Sequence, residues 1–495
     1  MDSKRECGVL LHPTSLPGKY GQGELGKEAY QFIDFLKQGR QKLWQVLPLN
    51  PVGYGNSPYQ PFSAFAGNPM LISIDKLVEK GLIQKKQLEN LPHFNKGQIQ
   101  FAEVKKFKEQ ILKKAFQRFR LKPKSPEYLR FLEENRIWLE DYALFSSLLG
   151  YFKGLSWHLW PGFAALRDKQ SLNYYKNLLA EDIQYHLFLQ FEFHSQWLEL
   201  KKYANEKGIK IIGDLPIFVA HNSSDVWGNP HLFCLDDEGK PLKVAGVPPD
   251  YFSATGQLWG NPIYRWEEMK KDDYCWWRER FKKILELTDL VRLDHFRGFD
   301  AYWEIPAGEE TAVNGCWRDG PGEDFFAVLE KYLGKLPIIA EDLGVITPRV
   351  EALKNKFGYP GMKVLQFLLE GMVFPLEFPE NMVVYTGTHD NDTILGWYKN
   401  QVLTNPKLKN WLERHFMINE KCRDEEICWF FIELAYSTRA ERVIIPLQDY
   451  LCLGSEARMN LPGTTGNNWG WRYLNGQLTG ELVERMSKLV ETYGR

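Results

Sequence analysis

Eight short apolar runs, with helical patterns between most of them, constrain this 495-residue chain more than any other feature. They fall at residues 8–12 (GVLLH), 43–49 (LWQVLPL), 209–217 (IKIIGDLPI), 290–295 (LVRLDH), 337–342 (PIIAED), 362–367 (MKVLQF), 382–386 (MVVYT) and 442–447 (RVIIPL). Runs of this length suit strands buried on both faces, and four of them end in a polar or charged residue. Between the first two, Ala29, Phe32, Ile33 and Leu36 recur at i, i+3, i+4 and i+7, the period of a helix with one apolar face. Residues 325–333, 350–356 and 427–437 read the same way, and Gly208 is placed to end a helix just before the third run. Eight strands alternating with helices predict an α/β protein built as a (β/α)8 TIM barrel. An open doubly wound sheet is the competing architecture.

Two intervals are too long for ordinary crossovers. Between the second and third runs, about residues 70–205, lies a Lys-rich, helical-looking stretch that reads as an inserted helical subdomain. Between the third and fourth, about residues 220–287, the chain is rich in Gly, Pro and aromatics (GVPPDYFSATGQLWGNP) and reads as a loop covering a site. The 495 residues are thus expected to form one catalytic barrel carrying both insertions.

Composition narrows the function classes. A net charge of −1 excludes a nucleic-acid binder working through a basic face. Aromatics form 14% of the chain, most of them expected in a core, although broad rings also stack on the C–H faces of sugars. The seven cysteines are an odd count with no CxxC, which suits free thiols in a reducing compartment. The four-residue apolar run at residues 8–11 is too short for a secretory signal, and no stretch approaches 18 apolar residues, so a cytoplasmic location without membrane contact is expected. Gly21, Gly23 and Gly26 spell GxGxxG, but residues 13–20 separate the motif from the strand it should follow immediately, which argues against a nicotinamide cofactor. Phosphate-loop, nucleophile-elbow and zincin motifs are missing from the sequence.

The acids at the run ends say more. Asp294 ends the fourth run, Glu341 the fifth, and Asp390 lies just past the seventh in YTGTHDND. In a barrel these strand ends converge on the face where active sites are built. A single acid there is most simply a cap or a salt-bridge partner. Three acids, each beside Arg292, His295 or His389, point to chemistry in which crowding drives pKa values apart. Spacing alone leaves a two-carboxylate sugar-transferring enzyme and a metal-dependent barrel enzyme both open, the second weakened by the lack of a further acid-rich loop.

VRLDHFRGF, AEDLG and GTHDND resemble the catalytic segments of the α-amylase clan. With IGDLPIFV, LHPTSLPG, YGNSPYQ, PPDYFSATGQLWGNP and ARMNLPGT, the chain is similar along nearly its whole length to the amylomaltase or disproportionating-enzyme family of 4-α-glucanotransferases. The resemblance implies Asp294 as nucleophile, Glu341 as general acid/base and Asp390 as transition-state stabiliser. It implies Arg292 as the group orienting Asp294, and His295, His389 and Asp214 around the donor sugar. Tyr54, Ser57 and Tyr59 are implied on the acceptor side, Tyr251, Phe252, Gln257 and Trp259 on a covering loop, and Asn460 on a second one. Malto-oligosaccharides and other α-1,4-glucans would be donors, with glucose or a glucan as acceptor and no cofactor or metal. Rival readings are a hydrolase or phosphorylase acting on the same glucans, and a non-catalytic glucan-binding protein.

Overall fold

A computed structural model describes residues 5–249, 253–374 and 379–495. Eight parallel strands form one sheet: Glu6–Leu10, Leu43–Gln45, Lys210–Pro216, Leu290–Asp294, Ile338–Ala340, Gly361–Val364, Met382–Tyr385 and Arg442–Pro446. Apart from the fifth and sixth, each pairs with its sequence neighbour in that series, and the first pairs with the eighth, in register from Glu6↔Arg442 to Leu10↔Pro446. The fifth and sixth close the ring, with the Ala340 amide donating to the Pro360 carbonyl at 2.8 Å and the Met362 amide to Asp342 Oδ1 at 2.7 Å. The molecule is a (β/α)8 barrel.

All eight apolar runs hold a strand, but the sixth is shorter than its run. The strand ends at Val364, and Leu365–Glu370 is helical. An uninterrupted apolar run carries no period to separate the two states, so the boundary was invisible. The aromatic-rich interval also contains more order than its composition suggests. Lys243–Val247 pairs antiparallel with both Gln257–Pro262 and Ala301–Pro306, and the last with Cys316–Asp319, making a second, four-stranded sheet. These strands are short, carry Gly246 and Gly260, and in Cys316–Asp319 are exposed throughout, so no alternating pattern announced them.

Residues 74–206 are largely helical, dominated by Phe101–Phe119, Arg136–Tyr151 and the 27-residue Ala180–Glu206. Val104, Ile111, Phe116, Phe188, Phe193 and Trp197 belong to the same buried cluster as the barrel's Val9, Trp44 and Val443. The long final helix acts as the crossover into the third strand, and its Trp197 indole donates to the Leu287 carbonyl at 2.8 Å. A second cluster, rich in aromatics, lies under the fourth and fifth strands. Phe296 and Phe299, fully buried just after Asp294, pack on Phe325 and Phe326 there. This slab is where much of the aromatic content goes, and it fixes the turn after the fourth strand from beneath.

The glycines of the false dinucleotide motif have a packing reason. A Cβ on Gly23 would sit 1.9 Å from the Pro13 carbonyl, and the Gly23 amide bonds the Thr14 carbonyl at 2.9 Å. Close backbone contact, and not a pyrophosphate, requires glycine. Next to it the buried Glu24 carboxylate meets Lys108, while also accepting from the Ile74 amide at 3.0 Å. Lys108 donates in addition to the Ile72 carbonyl at 2.9 Å, tying helix Phe101–Phe119 to the barrel's N-terminal loop. Removing one partner strands a buried charge. Lys108→Met should therefore lower the unfolding free energy by about 3 kcal/mol, whereas Glu24→Gln/Lys108→Met should recover part of that loss. Urea denaturation of the three proteins checks it, and an unchanged midpoint for Lys108→Met would count against the pair.

Candidate active site

Register places the acids. Asp214 lies opposite Arg292 and Pro216 opposite Asp294 across the third and fourth strands. Leu293 is opposite Ala340 across the fourth and fifth, so Asp294 and Glu341 emerge as the next neighbours at the same barrel end. Residues i and i+2 share a strand face, so Arg292 and Asp294 point the same way. Arg292 Nη1 donates to both Asp214 oxygens at 2.9 and 2.8 Å, and Nη2 meets Asp294 Oδ1 at 2.8 Å. The guanidinium is 5% exposed and the Asp214 side chain fully buried, while Asp294 remains open to the cleft.

Glu341 stands one residue past its strand and is held by main chain. The His295 amide donates to Oε2 at 2.8 Å and the Leu343 amide to Oε1 at 3.0 Å. His295 can aim its amide there because it adopts left-handed backbone, φ 51° and ψ 51°, which is uncommon for a residue with a side chain. Burial raises the Glu341 pKa to about 7; the Asp294 charge adds to that, and Arg292 opposes it. A carboxyl poised there exchanges a proton readily near neutral pH. Burial pushes the His295 imidazole down to about 4, so the ring is neutral.

The remaining expected residues divide into those the structure brings together and those it does not. Tyr59 donates its hydroxyl to Asp214 Oδ2 at 2.7 Å and stacks on His389 with ring centres 4.7 Å apart at 15°. His389 Nε2 lies 3.3 Å from Asp390 Oδ1. Asp214, expected to meet a sugar hydroxyl, instead has both oxygens occupied by Arg292 and Tyr59 inside the barrel, so its place is to brace those two groups. Ser57 Oγ accepts from the Tyr59 amide at 3.2 Å and shapes the turn that presents the ring. Tyr54 stands apart on the rim, 78% exposed. Trp259 sets its ring edge-on to His295 at 4.9 Å, and its indole donates to Gln257 Oε1 at 3.1 Å. Asn460 donates through Nδ2 to Asp390 Oδ1 at 2.7 Å. Tyr251 and Phe252 lie outside the described residues.

Four contributors escaped the sequence reading. Gln60 donates to Asn261 Oδ1 at 3.1 Å, joining the loop after the second strand to the covering loop. Trp469 extends the Tyr59–His389 wall, 5.8 and 5.9 Å from the two rings. Arg458 bonds the Asp390 carbonyl at 2.5 Å. Gln60, Asn261 and Arg458 occur within the strings YGNSPYQ, LWGNP and ARMNLPGT, which were the available signal. Among the described residues, no group of three or more His, Cys, Asp or Glu side chains is arranged to hold a metal ion, and no helix is long and apolar enough to cross a membrane.

A closed parallel barrel with two carboxyl groups and a buried guanidinium at the C-terminal ends of adjacent strands defines a (β/α)8-barrel enzyme with an acidic cleft. Comparison with known proteins gives the family. A model described as 4-alpha-glucanotransferase matches residues 11–478. The 4-alpha-glucanotransferases of Synechocystis sp. and Thermus thermophilus are 49% and 48% identical, over all of this chain and 99% and 100% of theirs. The amylomaltase from Streptococcus agalactiae in complex with acarbose superposes with a TM-score of 0.95 at 39% identity, covering 99% of each chain. The chain belongs to the 4-alpha-glucanotransferase family, and it is a transferase acting on α-1,4-glucans.

Because the Asp294 charge helps keep Glu341 protonated, Asp294→Asn should lower the Glu341 pKa from about 7. The pH-dependent carboxylate band in difference infrared spectra of the two proteins reads this directly, with a shift to higher pH as the contrary result.

Proposed function

We propose that Asp294 attacks the anomeric carbon of an α-1,4-linked donor while Glu341 protonates the departing glycosidic oxygen. The released glucan leaves, and the retained segment stays as an ester on Asp294. Glu341, now a carboxylate, takes the proton from the 4-hydroxyl of an acceptor glucan or glucose, which attacks the same carbon and releases Asp294. Two inversions give retention, which needs carboxyl groups about 5–5.5 Å apart, close to the spacing of roughly 4.8 Å between neighbouring strands. The observation that carries this reading is the register of the fourth and fifth strands, which sets Asp294 beside Glu341 with Arg292 on the first and a pKa of about 7 on the second.

Asp390, at the edge of the Tyr59–His389 wall, supplies negative charge to the oxocarbenium-like transition state. Tyr59, His389 and Trp469 form one aromatic wall of the cleft, between donor and acceptor. Tyr54 offers an open ring on the acceptor approach. Within the 220–287 interval, residues 253–262 act as a lid, held to the barrel through Gln60–Asn261 and by Trp259 against His295. No cofactor is required on this route. The odd number of cysteines at scattered spacings supports a reducing, cytoplasmic setting.

Pure maltotriose tests the reading. Glucose and longer maltodextrins should appear with no net rise in reducing ends. Asp294→Asn should lose roughly 10⁴-fold or more of that activity. The kcat/KM profile should fall on the alkaline side with an apparent pKa near 7, since above it Glu341 has lost the proton it must donate. Maltose and glucose produced with rising reducing power would instead indicate a hydrolase. The lid makes a separate demand. Trp259→Ala should raise the ratio of hydrolysis to transfer several-fold, on the order of one lost stacking contact, and an unchanged product ratio would remove Trp259 from that role.

A further inference from the structure

The three acids are supported very differently. Asp294 ends a strand paired on both sides, and Glu341 is fixed by two main-chain amides. Asp390 lies five residues beyond the seventh strand with its side chain 46% exposed. Its own loop offers only local help, from the Asp390 amide to Thr388 Oγ1 at 3.3 Å and from His389 Nε2 at 3.3 Å. A carboxylate placed that loosely would lose much of its value, because charge stabilisation depends on groups fixed in advance.

We propose that Arg458 and Asn460 are positioning residues that fix Asp390 from the segment after the eighth strand. This rests on the assignment of Asp390 as transition-state stabiliser. Arg458 donates from Nη2 to the Asp390 carbonyl at 2.5 Å and from Nε to the Asn460 carbonyl at 2.8 Å. These two N–H groups lie on one edge of a planar fork, so a single guanidinium grips both backbones at once. The Asn460 amide closes the join by donating to the His389 carbonyl at 3.0 Å. With both main chains locked, Asn460 Nδ2 reaches Asp390 Oδ1 at 2.7 Å.

The clamp is rooted in the barrel. Gln448, buried in the helix Leu447–Tyr450 that follows the eighth strand, donates to the Ala457 carbonyl at 3.2 Å. On the other side the Trp469 amide donates to the Met459 carbonyl at 2.7 Å, and Trp469 continues into the aromatic wall beside His389. Residues 461–467 between these anchors are exposed. The chemistry of the gripping group matters too. A carboxamide orients Asp390 without cancelling its charge, and it leaves Oδ2 free toward the sugar. An Arg or Lys in that place would hold the carboxylate and neutralise it. Asn460, expected on resemblance to contact glucan, has that N–H committed to the carboxylate instead.

The two roles separate kinetically. A glucan contact acts on binding, whereas a positioning residue acts on the chemical step and only through Asp390. The full-length enzyme would be assayed with α-maltotriosyl fluoride as donor, whose good leaving group keeps impaired variants measurable, and with glucose as acceptor. Asn460→Ala should lower kcat by about 10²-fold with KM unchanged within roughly threefold. Arg458→Lys, which keeps the charge but cannot span two carbonyls, should fall in the same direction, and added guanidinium should restore part of the kcat of Arg458→Ala. Asp390→Ala should lose about 10³-fold, and adding Asn460→Ala to it should cost nothing further. A loss confined to KM, or a double variant in which both losses multiply, would overturn the proposal. Should Asn460→Ala fail to fold, Arg458→Lys and the guanidinium rescue separate the same two roles. Full activity in Asp390→Ala would instead overturn the role given to Asp390 itself, independently of whether the clamp exists.

Discussion

One buried guanidinium organises the active face. Arg292 is almost completely withdrawn from water, a transfer that costs several kcal/mol unless acids and hydrogen bonds compensate. Asp214 provides that compensation from the adjacent strand, and Tyr59 satisfies Asp214 in turn. Arg292 can then offer its second amino group to Asp294, which faces the cleft. Lysine could not replace it, because a point charge cannot address two carboxylates along fixed directions. The same assembly sets the proton affinity of Glu341. Burial raises it, Asp294 raises it further and Arg292 pulls it back, leaving a group near 7 next to a carboxylate paired with Arg292. The two acids are thus distinguished by one shared cation and by depth of burial.

The site divides between sheet and loops according to what each part must do. On the proposed route bond making and breaking depend on the separation of Asp294 and Glu341, and that separation is carried by ladder hydrogen bonds of neighbouring strands, the stiffest element available. Glucan chains of different length must enter and leave around that pair. Around it stand Tyr54 and residues 461–467 on loops, and Trp259 on the strand Gln257–Pro262 of the second sheet, outside the barrel. Asp390 falls between the two regimes. On the proposed route it belongs to the chemistry but stands on a loop, where the Arg458 guanidinium bonds its carbonyl and the Asn460 side chain its carboxylate, adding to what its own strand supplies.

What could be read from the sequence follows from the same division. The eight strands were visible because each is largely buried on both faces and leaves a mostly apolar run, and the three acids were visible because they sit at or just past the ends of such runs. The second sheet was not, since Cys316–Asp319 is exposed and Lys243–Val247 is only partly covered. The direction of a side chain was also out of reach. Asp214 and Asp294 both lie within apolar runs, and only the structure shows that both meet the same Arg, one sealed in the barrel and the other open to the cleft. Arg458 and Gln60 act across more than 60 and 200 residues of chain respectively, on partners no local pattern could reveal.

The preference for transfer cannot come from the acids. Water and a sugar hydroxyl would both be activated by Glu341 and both attack the same ester on Asp294, so any change in those two groups affects the competitors alike. Water nevertheless outnumbers a millimolar acceptor by roughly 10⁴-fold, and offsetting that ratio takes about 5.5 kcal/mol. Contributions of that size must come from groups that contact the acceptor or exclude water. A stacked aromatic supplies about 0.5–1.5 kcal/mol and a hydrogen bond about 1 kcal/mol, so several must act together. The available groups are concentrated around the cleft in Tyr54, Tyr59, Trp259 and Trp469, with Gln60–Asn261 holding the cover in place. Specificity for transfer therefore resides in the loops, and the barrel beneath them could serve a hydrolase equally well.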